Sequence, residues 1–279
     1  MIDFKAFTDQ VWYAKTVKIR KSLTKGEKMK LFQLIRPNQP TKNLRWFDFL
    51  TLTGILWGIF IYRSTSYLWY TIQPMNEGTA IISNTSDSGA AYWSNLDLQL
   101  HLLAFALLYL WLRRYDFSQL KIRFSWSVLF WVPVIFAAMG LLADVLYSVT
   151  GYYNYFSPEV LERIDWSLGS LFSKFAGLSE IAIAYSLLNG FYEEFFFLGL
   201  LTSVEDKYRW QALVFSTLVR ISFHTYQGIS SALIIGVAIG LFYYFLYKYK
   251  VKNLLPFFFV HAIADMFGSS LIYLLVHWG

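Results

Sequence analysis

From residue 46 onward the sequence returns seven times to an apolar run close to twenty residues long, over 46–70, 96–112, 125–147, 181–204, 208–226, 229–247 and 254–278. A helix rises about 1.5 Å per residue and the hydrocarbon layer of a bilayer is about 30 Å thick, so runs of this length match membrane-spanning helices. Lipid offers no partner to a free backbone N–H or C=O, and a helix satisfies its own. The expected fold is therefore all-α, a polytopic membrane protein of about seven transmembrane helices. The rest of the composition agrees, with 56% hydrophobic, 20% aromatic and only 15% charged residues among 279. Such a chain is too apolar for a soluble domain. It contains no cysteine, which excludes disulfides, thiolate nucleophiles and cysteine-bound metals together.

The charges outside the apolar runs give an orientation. Residues 1–45 hold eleven Lys and Arg against Asp3, Asp9 and Glu27. They read as a basic cytoplasmic amphipathic leader suited to anionic lipid. Arg113, Arg114, Lys121 and Arg123 follow the second run, and Lys248, Lys250 and Lys252 follow the sixth. The connection after the third run has Glu159, Glu162 and Asp165 against Arg163. Basic loops stay in the cytoplasm, so the N-terminus is expected there and the C-terminus outside, with the polar loop 73–95 external. The expected domain division is a leader over 1–45, N-terminal transmembrane helices and external loops over 46–166, and a core over 167–279, to which the resemblance described below assigns the catalysis.

Charged groups inside the runs need a separate explanation. An ionised carboxylate at mid-bilayer costs about 2.5–3.5 kcal/mol on insertion scales, yet Glu193 and Glu194 sit side by side in the fourth run. Arg220 and His224 lie in the fifth run, and His261 and Asp265 in the seventh. His261 and Asp265 are four residues apart and project from one helix face. Glu193 and Glu194 are about 100° apart around their helix, so they face different neighbours and take different roles. Convergence of these groups implies a polar intramembrane cavity formed by the last four helices. His101 is expected to be a packing histidine, and Asp144 and Glu180, near span ends, to reach water. Ala232, Gly236 and Gly240 recur every four residues and leave one helix face bare for close packing.

At these residues the chain resembles the CAAX protease and bacteriocin-processing family, also called Abi, of intramembrane glutamic endopeptidases. The family pattern is EExxxR, then FxxxH, then HxxxN or HxxxD. Here Glu193-Glu194 with Leu198, Arg220 with His224, and His261 with Asp265 stand in that order within about residues 187–268. Leu198 replaces the family arginine and Arg220 the family phenylalanine. In antiparallel helices both positions fall on the same side of the centre, so Arg220 is expected to supply the missing cation to Glu194.

The resemblance implies an intramembrane endopeptidase acting on a peptide or membrane-protein substrate. Glu193 would be the general base, His224 would orient the water, His261 would serve the oxyanion, and Asp265 would either set the His261 tautomer or replace a donor. Glu194 and Arg220 support the site. No cofactor is implied, although zinc at His224, His261 and a carboxylate is an alternative. A non-proteolytic bacteriocin-immunity or membrane regulatory or scaffold protein is the second function class. Nothing points to nucleic acid, and the expected location is a bacterial plasma membrane.

Overall fold

A computed structural model describes residues 36–72 and 88–276. The greater part of the expected basic leader and of the expected external loop 73–95 lies outside the described residues, and residues 88–95 of that expected loop are helical. Helices make up the architecture: α1 (Trp46–Ile72), α2 (Ser88–Leu112), α3 (Ser127–Val149), α4 (Pro158–Leu161), α5 (Leu168–Ala176), α6 (Glu180–Leu200), α7 (Arg209–His224), α8 (Ile229–Val251), α9 (Leu255–Phe267) and α10 (Leu271–Leu275). Among the described residues, β pairing is confined to isolated bridges, such as Thr41 to Tyr115 and Leu44 to Val204 at the end that carries Arg113 and Arg114, the basic end.

Every expected run contains a helix, but the helices differ in their fitness to cross a bilayer. Gly89–Leu112, Ser127–Val149 and Ile229–Val251 are long and apolar enough, and α5 with α6 makes a fourth if that pair, bent by 99°, is one span. The α1 helix has 27 residues but is interrupted by Asp48 and Arg63 and by a polar run from Ser64 to Ser66. With 13 residues, α9 is about 20 Å long, well short of the hydrocarbon thickness. The seventh expected run is not one continuous helix. Gly268 takes φ +82°, which breaks the helical path, and the Ser270 hydroxyl then accepts from Tyr273 N at 2.8 Å to cap α10.

The α6 helix is the centre of the packing. A Cβ on Gly190 would lie 2.5 Å from the Phe258 carbonyl oxygen and 2.8 Å from Ala262 N, so only glycine lets the α6 and α9 backbones touch here. On its other side α6 meets α1 and α7 through aromatic rings. Trp57 lies 4.3 Å from Phe223 and 5.2 Å from Tyr192, centroid to centroid, and the Tyr192 hydroxyl donates to Leu56 O at 2.5 Å. After Glu194 the helix widens into a π turn over Phe195–Leu200, with every side chain buried. The small-residue face of α8 packs as its spacing implies, since a Cβ at Gly236 would come within 2.9 Å of Ile221 N on α7.

Asp144 departs from expectation. It is fully buried, because its carboxylate accepts from the Ser270 hydroxyl and from Ile272 N at 3.1 Å, tying α3 to the start of α10. The amides exposed by the helix break need an acceptor, and Asp144 provides it. Glu180, by contrast, is exposed at the start of α6. At the basic end, Arg113 pairs with buried Asp48 at 2.8 Å, and the Tyr109 hydroxyl adds a bond of 2.7 Å to the same oxygen.

Candidate active site

Asn189 and Glu193 are one turn apart on α6 and share a face, while Glu194 turns toward α7 and α9. Glu193 is 4% exposed and Glu194 is fully buried. Because Gly190 admits α9 so closely, His261 reaches both glutamates. Its Nδ1 lies 2.7 Å from Glu194 Oε1, and its Nε2 lies 3.6 Å from Glu193 Oε1.

Arg220 meets the same Glu194 oxygen at 2.8 Å through Nη2. Its guanidinium stands over the Phe197 ring, 4.1 Å from the centroid. Gly240 leaves room for it, since a Cβ there would already touch Arg220 at 3.4 Å. A cation and a histidine proton thus converge on one carboxylate oxygen, which answers the cost of burying Glu194. Leu198, at the family's arginine position, is fully buried in the hydrophobic core.

Glu193 is held by one oxygen only. Its Oε1 accepts from Asn189 Nδ2 at 3.2 Å, whereas Oε2, like Glu194 Oε2, is buried without a hydrogen-bond partner among the described residues. Asn189 Nδ2 also donates to Asp265 Oδ2 at 2.8 Å, and Asn189 Oδ1 accepts from Gln99 Nε2 on α2 at 2.5 Å. These contacts fix which end of the Asn189 amide points where, since two carboxylates require its NH2 and Gln99 supplies a donor to its oxygen. Asp265 Oδ1 stands 3.7 Å from His261 Nε2, with the Asp265 side chain 23% exposed. Asn189 and Gln99 were not singled out from the sequence. Asn189 stands one turn before Glu193, a spacing that marks it as a neighbour, while nothing in the sequence ties Gln99 to a residue ninety positions away.

His224 is buried on the opposite wall, with Nδ1 2.8 Å from the Arg220 carbonyl oxygen. That carbonyl can only accept, so Nδ1 bears the proton and Nε2 is left for a ligand or water. Among the described residues His224 makes no hydrogen bond to a carboxylate.

Glu193, Glu194, Arg220, His224, His261 and Asp265 all line one cavity of about 620 Å³. The walls extend beyond the last four helices expected to form them, because Trp57 and Arg63 of α1, Gln99 of α2 and Tyr147 of α3 also face it. His101 is outside the cavity lining; its Nδ1 lies 2.8 Å from the Asp97 carbonyl on an exposed face. Oxygen and nitrogen donors of Glu193, Glu194 and His261 lie within 4.8 Å of one another, whereas His224 is not in that group.

No curated protein and no solved structure matches the chain. Residues 176–267, the stretch that contains both glutamates, Arg220, both cavity histidines and Asp265, match the family described as type II CAAX prenyl endopeptidase, Rce1-like, and over this stretch the resemblance read from the motif residues is shown.

Proposed function

We propose that the protein is an intramembrane endopeptidase in which Glu193 activates water. The observation behind this reading is the Glu193 carboxylate in the cavity lining, anchored through Oε1 by the neutral Asn189 amide and with Oε2 buried and unpartnered among the described residues; Glu194 also has such an oxygen, but its charge is already answered by Arg220. A base needs one oxygen fixed for aim and one free for the proton, and a buried carboxylate oxygen without a donor is a costly arrangement unless water or substrate fills it.

In the reaction, Glu193 Oε2 takes a proton from water as the water oxygen bonds to the scissile carbonyl carbon. The C–N bond then breaks, and the same proton passes to the departing nitrogen. His224 Nε2 faces the cavity and orients the attacking water. His261 Nε2, between Glu193 and Asp265, serves the oxyanion when it bears a proton. Asp265 is anchored by Asn189, so its role is to align His261 rather than to donate. Glu194 and Arg220 hold His261 in place.

A metal at Glu193, Glu194 and His261 is the second reading, favoured by the closeness of their donor atoms. Two features weigh against it. Arg220 already supplies positive charge to Glu194, and the set has one nitrogen where catalytic zinc sites commonly use two or three. Tight chelation should therefore leave cleavage unchanged, and loss on chelation with recovery on adding zinc would reverse this ranking.

The wider reading is seven crossings in a bacterial plasma membrane, with the N-terminus cytoplasmic and its basic leader on anionic lipid. Membrane-peptide profiles from cells with wild type and Glu193→Gln test the activity. Peptides that lengthen or accumulate in the variant are the expected result. Identical profiles, with equal protein levels, would favour the immunity or scaffold class instead.

A further inference from the structure

Among the described residues, the lining of the cavity reaches one end of the bundle. Its rim is made by Asn95 near the start of α2, Tyr152 beyond the end of α3, Gln227 beyond the end of α7 and Ser269 beyond the end of α9. These positions all belong to the same side, because α2 runs away from that side while α3, α7 and α9 run toward it. The opposite direction is closed. Past Glu194 the π turn Phe195–Leu200 is buried throughout, and Phe257 and Tyr243 are buried around it.

The closed end is the basic end. It holds Arg113, Arg114, Lys121 and Arg123 between α2 and α3, and Lys248, Lys250 and Lys252 at the end of α8. The open end has Glu159, Glu162 and Asp165 against Arg163 in the connection between α3 and α5. Lys and Arg in short loops remain in the cytoplasm, so the closed end is cytoplasmic and the open end is not.

From this placement we infer that the cavity takes its substrate from the non-cytoplasmic side of the membrane. The substrate is then an extended polypeptide segment exposed on that side, and not a chain tail lying in the cytoplasm. The rim chemistry fits such a segment, since Asn95, Gln227 and the phenols of Tyr152 and Tyr226 offer neutral donors and acceptors to main-chain amides. This inference rests on the endopeptidase reading for its substrate, but not for the side on which the cavity opens.

The absence of cysteine from the chain makes a direct test available, because any thiol signal comes from an introduced residue. Gln227→Cys at the rim and Lys250→Cys at the basic end are both at exposed positions. A membrane-impermeant maleimide applied to intact cells should label Gln227→Cys and leave Lys250→Cys unlabelled until the cells are permeabilised. Thr150→Cys, also exposed on the open side, repeats the reading if Gln227→Cys does not accumulate. The reverse labelling pattern overturns the inference.

Sealed vesicles with an impermeant peptide mixture outside then test the substrate side. Cleavage by right-side-out vesicles, absent from inside-out vesicles and from the Glu193→Gln variant, is the expected result. Glu193-dependent cleavage confined to inside-out vesicles overturns the inference while leaving the protease reading intact. No Glu193-dependent cleavage in either orientation overturns the protease reading and the substrate with it, while the labelling still decides where the cavity opens.

Discussion

At the scale of single residues, the two adjacent glutamates differ in the kind of partner they have. Each keeps one buried oxygen without a partner among the described residues, but the other oxygen of Glu194 meets the Arg220 cation and His261, whereas that of Glu193 meets the neutral Asn189 amide and lies 3.6 Å from His261. Removing the cation should therefore hurt stability before chemistry. Arg220→Leu strands a fully buried carboxylate and is expected to cost about 3–5 kcal/mol, read as a lower thermal midpoint of the purified protein, and Arg220→Lys should recover part of it. An unchanged midpoint in Arg220→Leu would contradict the pairing. Gln99→Glu tests the other arm with a side chain of the same size. It replaces a donor by an acceptor, so the Asn189 amide must turn its oxygen toward Glu193 and Asp265. The expected loss is about 10²-fold in kcat with KM little changed, and wild-type kcat would show that Gln99 does not aim Glu193. The charged members of this site were readable from the sequence because a charge inside an apolar run is conspicuous. Asn189 and Gln99 were not, since an uncharged amide in a membrane helix raises no such alarm and its partners are distant in the chain.

At the scale of elements, helix identity followed from the length of the apolar runs, while helix breaks and close approaches depended on single residues. Gly190 was part of the same stretch as the glutamates, yet its packing role appears only when α9 is seen against it. Gly190→Ala would bring a methyl group to 2.5 Å from Phe258 O and push α6 from α9. The expected outcome is about 1–3 kcal/mol of destabilisation together with lost cleavage, because His261 would retreat from both glutamates. Retained activity at a wild-type midpoint would contradict the close packing. Gly268 and Ser270 end α9 early where hydropathy alone continues, and Asp144 answers for the amides released there. A buried Asp at that position reads from sequence as a residue near a span end, since its partners lie more than a hundred residues away.

At the scale of the whole molecule, the matched stretch 176–267 contains the motif residues but not the whole chamber. Trp57, Gln99 and Tyr147 line it from α1, α2 and α3, so residues outside 167–279 contribute to the walls of the site. A chain cut to residues 167–279 should lack cleavage even when inserted in a membrane, and activity in that fragment would contradict the shared cavity. The central claim is narrower, that Glu193 activates water. Its most direct measurement is the cleavage rate of the purified protein, reconstituted in lipid, against Glu193→Gln at matched thermal midpoints. The account predicts a fall of about 10²–10⁴-fold in the variant; a rate within error of wild type would contradict it.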